Sequence, residues 1–298
     1  MKKIIFFAVL LTIVSISSLF TYRYVMNLNQ EQIRISTNPW VGFTPFIYAQ
    51  EKGWLEKTPF RFIWLVDLTE NSRMYEREFT QGFTATQYEL MHFKEHSHIK
   101  PVFLIDRSVG ADVILSNRSL NELRNTHDPI TVYLERGSLH DDILKAFIKE
   151  NALEHQALIL KNSSQQSMAL IEPASTPIIA LSYAPYVSNL TKRGLVAIAS
   201  TATMKSFIIV DALYMDERFV TGREDEYRKL KTIFNRALEQ LSTDPHEYYQ
   251  TIHGYLEGQS YDEFMATTQQ IEWLNHGSNE AIARQLETQH ISTDRLLP

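Results

Sequence analysis

The 298-residue chain contains no cysteine. Disulfides, thiol nucleophiles, thiolate metal sites and a lipid-accepting N-terminal cysteine are therefore excluded, although this alone does not fix the compartment. There is no basic run, and the formal charge is −6, which argues against nucleic acid as a partner. No G-x-S-x-G, P-loop or G-x-G-x-x-G segment occurs. Nor is there an internal repeat, a low-complexity segment or a flexible linker. Nothing in the motif content argues for an enzyme, and no cofactor is implied. What is present is an ordinary globular composition, 44% apolar and 21% charged. The length exceeds that of a usual single core, so two lobes are expected.

The N-terminus carries a targeting signal. Lys2 and Lys3 precede an uncharged apolar run from Ile4 to Phe20, followed by Tyr22, Arg23 and Tyr24. At 1.5 Å per residue such a run spans roughly 25 Å, slightly short of a hydrocarbon core. The two lysines keep the N-terminus cytoplasmic and send the remainder outward. Ser15-Ile16-Ser17 offers small residues at cleavage spacing but makes a poor site. Residues 1–30 thus read either as a cleaved leader or as a retained anchor. Loss of Lys2 and Lys3 with a leader takes the charge from −6 to −8.

The body opens on IRISTNPWVGFTPFIYAQEKG, residues 33–53. Ile33 to Ser36 alternates as a strand, and Asn38-Pro39 breaks it. Thr44-Pro45 starts a helix, with threonine able to cap and proline suited to the first turn; Gly53 ends it. Between them lies an exposed aromatic loop with Trp40, Gly42 and Phe43. That loop and the helix N-terminus form a seat for a small polar or anionic ligand. The alternative is a plain strand–helix connection with Trp40 in the core.

Strands are predicted over Arg61 to Asp67, Pro101 to Ile105 and Val113 to Leu115, with a helix over Ser72 to Phe79. Gly82 to Thr86 reads as a turn into a short strand. This alternation predicts an open parallel α/β lobe. A second set of units follows. Ser119-x-x-Glu122 and Ser138-x-x-Asp141 fit the capping-box pattern. Ile130 to Leu134, Ala157 to Leu160 and Ile178 to Leu181 read as strands, and Leu139 to Asn151 as an amphipathic helix. Tyr183-Ala184-Pro185-Tyr186 opens a helix closing near Gly194. Ser206 to Asp211 is one more strand, and everything after it reads as helical, beginning with Tyr227 to Leu241. Those helices need a surface already built. The first lobe is therefore discontinuous, at 31–112 and 206–298, with the second at 113–205.

Candidate site residues fall at strand ends, where open α/β sheets bind ligands. They are Trp40, Gly42, Phe43 and Thr44; Thr84, Ala85, Thr86 and Gln87; Arg107, Ser108, Gly110 and Asp112; Ser138 and His140; and Tyr183 and Tyr186. Each has an alternative reading as a cap or loop residue. His92, His96 and His98 have metal-compatible spacing, but only Glu95 lies nearby and it points elsewhere, so a solvated surface cluster is the better reading. His140-Asp141-Asp142 is better explained by the preference for acids in a first helical turn than by acid–base chemistry.

The order of these segments resembles a known family. Trp40-Val41-Gly42-Phe43, then Ala49-Gln50-Glu51-Lys52-Gly53-Trp54-Leu55-Glu56, is similar to the "W-x-G-(Y/F)…A-x-E-K-G-(F/W)-(F/L)-E" opening of periplasmic solute-binding proteins of the nitrate, sulfonate, taurine and thiamine-pyrimidine group. Asp106 to Asp112 resembles that group's "D-x-S-x-G-A-D". Gly137-Ser138-Leu139-His140 resembles its turn before the first helix of lobe two, and Tyr183-Ala184-Pro185-Tyr186 its "(W/Y)-(E/A)-P-(Y/W)" turn. The match runs over nearly all the chain from Glu31. Gly82 to Thr86 departs, lacking the common aspartate, as does Ala184, where many members have glutamate.

The resemblance implies a type II periplasmic-binding-protein fold: two α/β lobes, each an open, mostly parallel sheet flanked by helices, joined by two crossovers near Asp112 and Ser206. It implies an extracytoplasmic protein, soluble or tethered by residues 4–20, that closes on a small solute and hands it to an ABC-type membrane permease. A sulfonate-, nitrate- or pyrimidine-like solute is expected. A small organic anion such as a sulfonate is preferred, because the candidate site offers donors and few obligatory acids; a neutral heteroaromatic would use the same aromatics. Carried over by position, Trp40, Gly42, Phe43, Thr84, Ala85, Thr86, Ser108, Gly110, Ser138 and Tyr183 would line the ligand site, with no catalytic residue and no metal. A membrane-tethered sensor is the alternative. The pyrimidine-synthesising branch of the family ranks last, because its cysteine-rich motif is absent.

Overall fold

A computed structural model of the chain describes residues 32–66, 68–172, 174–204, 207–277 and 280–297. The expected leader or anchor at residues 1–30 lies outside them, as does Ser206. No helix among the described residues is long and apolar enough to cross a membrane.

Two sheets organise the chain. In the first, β1 (Ile33–Thr37) lies between β2 (Phe60–Trp64) and β3 (Gly82–Thr86), parallel to both. From β1 the chain passes through a 3-10 turn, Val41–Phe43, into α1 (Thr44–Glu51). Thr44 does not cap this helix through its side chain. Phe43 holds the cap position, and the Thr44 hydroxyl donates to the Val41 carbonyl at 2.7 Å. The expected exposed loop is instead buried, because Phe43 and Val41 join the apolar core and Trp40 packs beside them.

After β2, α2 (Leu68–Glu76) begins and ends earlier than expected, and Glu78 follows with a left-handed backbone. β3 is not a turn with a short strand attached but a strand buried throughout, closed by α3 (Gln87–Met91). Thr86 and Glu89 form a capping box there, satisfying amide hydrogens that have no intrahelical partner. β4 (Ile99–Ser108) runs well beyond the expected five-residue core.

The chain then leaves for the second sheet and returns as β10 (Val210–Asp216), which inserts between β3 and β4 and runs antiparallel to both. The expected return strand at 206–211 thus starts four residues later, at Val210. A short β11 (Ile271–Trp273) pairs with β4 where only helices were expected, giving the order β11-β4-β10-β3-β1-β2.

The second sheet has the order β7-β6-β8-β5-β9. β6 (Ile130–Leu134) is parallel to β7 (Leu158–Asn162) and to β8 (Ile178–Tyr183). β5 (Asp112–Ser116) is antiparallel to β8 and to β9 (Val196–Ser200). The class is the expected two-sheet α/β fold, but both sheets are mixed rather than mostly parallel. The reason is topological: β5 and β10 each follow a passage between sheets and run against both their neighbours.

Around the second sheet lie α4 (Leu120–Asn125), α5 (Leu139–Glu150), α6 (Gln165–Met168) and α7 (Val187–Lys192). The Ser119–Glu122 capping box is formed. At α5 the expected box is absent: the Ser138 hydroxyl accepts from the His140 amide, while Asp141 accepts from the Gly137 amide at 2.7 Å.

The C-terminal helices α8 (Glu224–Thr243), α9 (Pro245–Ile252), α10 (Tyr261–Thr268) and α11 (Glu280–Thr288) complete the chain. α8 turns Tyr227, Leu230, Phe234, Ala237 and Leu241 inward. Phe234 meets Phe46 of α1 at 5.0 Å, and Tyr248 of α9 stacks on Tyr48 at 4.6 Å. These aromatic contacts fix α1, and with it the turn that presents Trp40.

Candidate functional site

The ends of β1 and β8 meet at the seam between the two sheets. Just past β1, the Asn38 side chain donates to the Tyr183 hydroxyl at 3.3 Å. Trp40 lies edge-on to the Tyr183 ring, with centroids 5.6 Å apart. His140, from the first turn of α5, lies 5.8 Å from Tyr183 on the same side of the seam, and Tyr186 lies 6.0 Å away. Tyr186 in turn donates to the Val66 carbonyl across the seam at 3.2 Å. Trp40 is 4% exposed and Tyr183 1%. The two rings meet edge to face, with no gap between them: the seam is shut.

Behind the rings stands a group of buried acids. The Trp40 indole N–H donates to Asp106 Oδ2 at 3.3 Å. Gly42 makes room for that carboxylate, since a Cβ there would stand 1.7 Å from the same oxygen. Asp106 of β4 is the strand partner of Asp211 of β10, which sets the two buried carboxyls side by side. Asp112, which opens β5, is paired with Tyr183. Glu89 of α3 reaches across to accept from the Leu139 amide at 2.7 Å.

Burial dominates the electrostatics. It raises Asp106 to about 8, with the Asp112 charge adding to the effect and the Trp40 indole opposing it. It raises Asp112 to about 7, against a hydrogen bond from Ser108. Asp211 is held well above the usual carboxylate range by burial and by repulsion from Asp106, Asp112 and Glu89. Glu89 is raised by burial as well. The side chains acting on Asp106, Asp112 and Asp211 are hydroxyl, indole and carboxyl groups, without a cation among them. Burial lowers His140 to about 3, so its ring is neutral. Its Nδ1 accepts from the Glu135 amide at 3.2 Å, which leaves the proton on Nε2.

The expected site residues divide into three groups. Trp40, Gly42 and Tyr183 stand at the aromatic and acidic seam. Thr84, Thr86, Ser108, Gly110 and Ser138 lie around it with their polar groups engaged. Thr84 bonds Thr37 at 2.7 Å, and Thr86 is committed to Glu89. The Ser108 hydroxyl bonds Thr201 at 2.8 Å, and the Thr201 hydroxyl also accepts from the Gly110 amide at 2.8 Å. Ser138 donates to the Glu135 carbonyl at 2.8 Å. Phe43 and Ala85 are core residues. Arg107 pairs with Glu272 of β11 at 2.7 Å, at the sheet edge.

Asn38, Glu89, Asp106 and Asp211 were not singled out from the sequence. A signal existed for Asp106 and Asp211: an acid directly after an apolar run, in PVFLID and FIIVD. The histidine cluster does not assemble a metal site. His92 pairs with Asp142 at 3.1 Å, and no group of three potential ligands able to hold a metal ion occurs among the described residues.

No protein-family model matches the chain, and no curated protein sequence is detectably similar to it. Solved structures are similar. The ligand-binding component of an ABC-type import system from Staphylococcus aureus, with zinc bound, superposes with a TM-score of 0.66 at 14% identity, covering 90% of this chain and 96% of its own. The periplasmic aliphatic sulphonate binding protein SsuA from Escherichia coli gives 0.67 at 10% identity, covering 87% and 85%. A Candida albicans protein described as having the generic periplasmic binding protein fold gives 0.63 at 10% identity, covering 90% and 98%. The chain therefore has the fold of the periplasmic binding proteins that serve ABC-type import systems.

Proposed function

We propose that the chain is an extracytoplasmic solute-binding protein that captures a small molecule between two lobes and delivers it to an ABC-type importer. The lobes are residues 31–112 with 206–298, and residues 113–205. The observation that carries the reading is the contact of Trp40 and Asn38 from one sheet with Tyr183 from the other. Aromatic rings and polar atoms from both halves converge on one seam, the arrangement a guest needs in order to bridge them. Closure works by hinge motion at the two crossovers, where the Ser108–Thr201–Gly110 hydrogen bonds tie the outgoing strand to the returning segment. No turnover is expected.

Of the solutes considered, a sulfonate or nitrate suits the seam least. The hydroxyls and the α5 amide that would receive an anion are committed internally. A thermal-shift screen with sulfonates, nitrate, pyrimidines and amines tests the reading. A true ligand at a hundred times its Kd stabilises by about 2.7 kcal/mol. No shift across the panel would remove the support for transport. The apolar run at residues 4–20 keeps a membrane-tethered sensor as the second reading. N-terminal sequencing of the mature protein separates it from a cleaved, soluble carrier.

A further inference from the structure

Acceptors outnumber donors among the unpartnered atoms at the seam. Asn38 Oδ1, Asp106 Oδ1 and Asp112 Oδ2 are buried acceptors without a hydrogen-bond partner. All three side chains are at most 5% exposed. They lie in one run of contacts: Asn38 bonds Tyr183, Tyr183 meets Trp40, Trp40 bonds Asp106, and Asp112 is the strand partner of Tyr183. Beside them, His140 Nε2 is an unpartnered donor on a ring packed against the same tyrosine, and Arg107 Nε, on the residue after Asp106, is another. Buried polar groups are ordinarily satisfied, so a cluster of orphans is informative.

We propose that the guest of this seam is a small organic cation, an ammonium or amidinium bearing N–H donors, held by Asp106 and Asp112 and flanked by the rings of Trp40 and Tyr183. The inference rests on the solute-binding reading and names its substrate class. Carboxylates removed from water need a cation or a proton, and among the described residues no cation is found acting on Asp106, Asp112 or Asp211. Aromatic faces add to the attraction for a desolvated cation. A bare metal ion is the poorer fit, because no group of three His, Cys, Asp or Glu side chains able to hold one occurs among the described residues. The Asn38 carbonyl takes a further N–H, and His140 Nε2 donates to an acceptor elsewhere on the guest. Before a guest binds, the carboxyls hold protons; on binding, an O–H bond breaks, the proton passes to solvent and the ion pair replaces it.

Isothermal titration calorimetry on the full chain tests this, using benzamidinium and 4-aminopyridinium as cationic probes against methanesulfonate, nitrate and uracil. Titrations run in two buffers of different ionisation enthalpy. The cationic probes are expected to bind with proton release, and the affinity to rise as pH is raised from about 6 to about 8. Asp106→Asn and Asp112→Asn each weaken binding by about a hundredfold. Binding of the anions or uracil with the cations inert would overturn the inference and leave the solute-binding reading standing. Binding of no probe would overturn both. Cation binding that survives both substitutions is adventitious and overturns the inference. Should either variant fail to fold, proton release by the unsubstituted chain decides: cation binding without it overturns the inference.

Discussion

Glu89, carried by α3 on the first sheet, accepts a hydrogen bond from the backbone amide of Leu139, the first residue of α5 on the second. Its other oxygen takes the Thr86 amide at 3.0 Å and the Thr86 hydroxyl. One carboxyl thus completes the cap of its own helix and joins a helix of the opposite body. A helix N-terminus favours an acceptor or an anion, and here the protein provides one from within. Beside it, His92 and Asp142 make a second link across the seam. The shut conformation has its own ties, independent of any guest.

Glu89→Ala is therefore expected to loosen the seam. It leaves the Thr86 and Leu139 amides without acceptors in a buried place, a loss of about 2–3 kcal/mol by the usual cost of unsatisfied groups. Glu89→Gln keeps an acceptor and should lose less. Small-angle scattering of the unliganded protein should give a larger radius of gyration for the alanine variant than for the other two. Identical radii in all three would show that Glu89 does not hold the bodies together.

Gly42 is predicted to be irreplaceable only while Asp106 is present. A methyl group at Gly42 would collide with Asp106 Oδ2 and stand 2.8 Å from Trp40 Nε1. Gly42→Ala should then destabilise by about 1–3 kcal/mol, the range for overpacking. The added Asp106→Ala should recover much of that loss, because it removes the colliding atom. Denaturant titration of the two single variants and the double variant measures the coupling. Strict additivity would show that the collision is not what Gly42 avoids.

How much of this was legible follows from the length scale of each signal. Periodic segments such as Tyr227 to Leu241, and caps such as Ser119–Glu122, are local, and the sequence predicts them. β11 was missed because three residues, Ile271 to Trp273, are too short for alternation to register. The return strand was placed early because FIIV is apolar enough for a strand, yet pairing with β3 and β4 begins only at Val210. At the site, Trp40 and Tyr183 were placed opposite each other through family resemblance, and they meet. Asp112 is among the candidates the sequence offers, but Asp106 and Asp211 are not, because their significance depends on pairing: they are neighbours only once the strands are in register.

The Thr201 hydroxyl should act as a clasp at the crossover. It bonds the Ser108 hydroxyl and accepts from the Gly110 amide, joining the end of β4 to the segment after β9. Thr201→Val keeps the shape and removes both bonds, at about 1–3 kcal/mol for a buried donor left unmade. Hydrogen exchange should speed up at Gly110 and at the Asp112 amide, which is held by Ser108. Unchanged protection there would place the hinge elsewhere.

The last prediction concerns pH. Asp106 and Asp112, raised by burial to about 8 and about 7, keep protons that an unfolded chain has released above about pH 4. Asp211 and Glu89 are raised too. The folded state therefore binds more protons across this window, and stability falls as pH rises through it. His92, raised to about 9 chiefly by its bond to Asp142, acts in the same direction: its contribution is complete below about pH 6.5 and is lost as pH rises through its folded value. His140, lowered by burial to about 3, opposes them only below about pH 6.5, where an unfolded chain takes up a proton that the folded ring refuses. All these groups agree in sign, or are silent, between about pH 6.5 and about pH 8. Thermal unfolding should give a Tm that climbs on acidification over that interval, and Asp106→Asn should flatten the climb by removing one titrating partner. A Tm that is level across the interval, or a slope the substitution leaves untouched, would mean that the carboxyls at the seam are ionised in the folded protein.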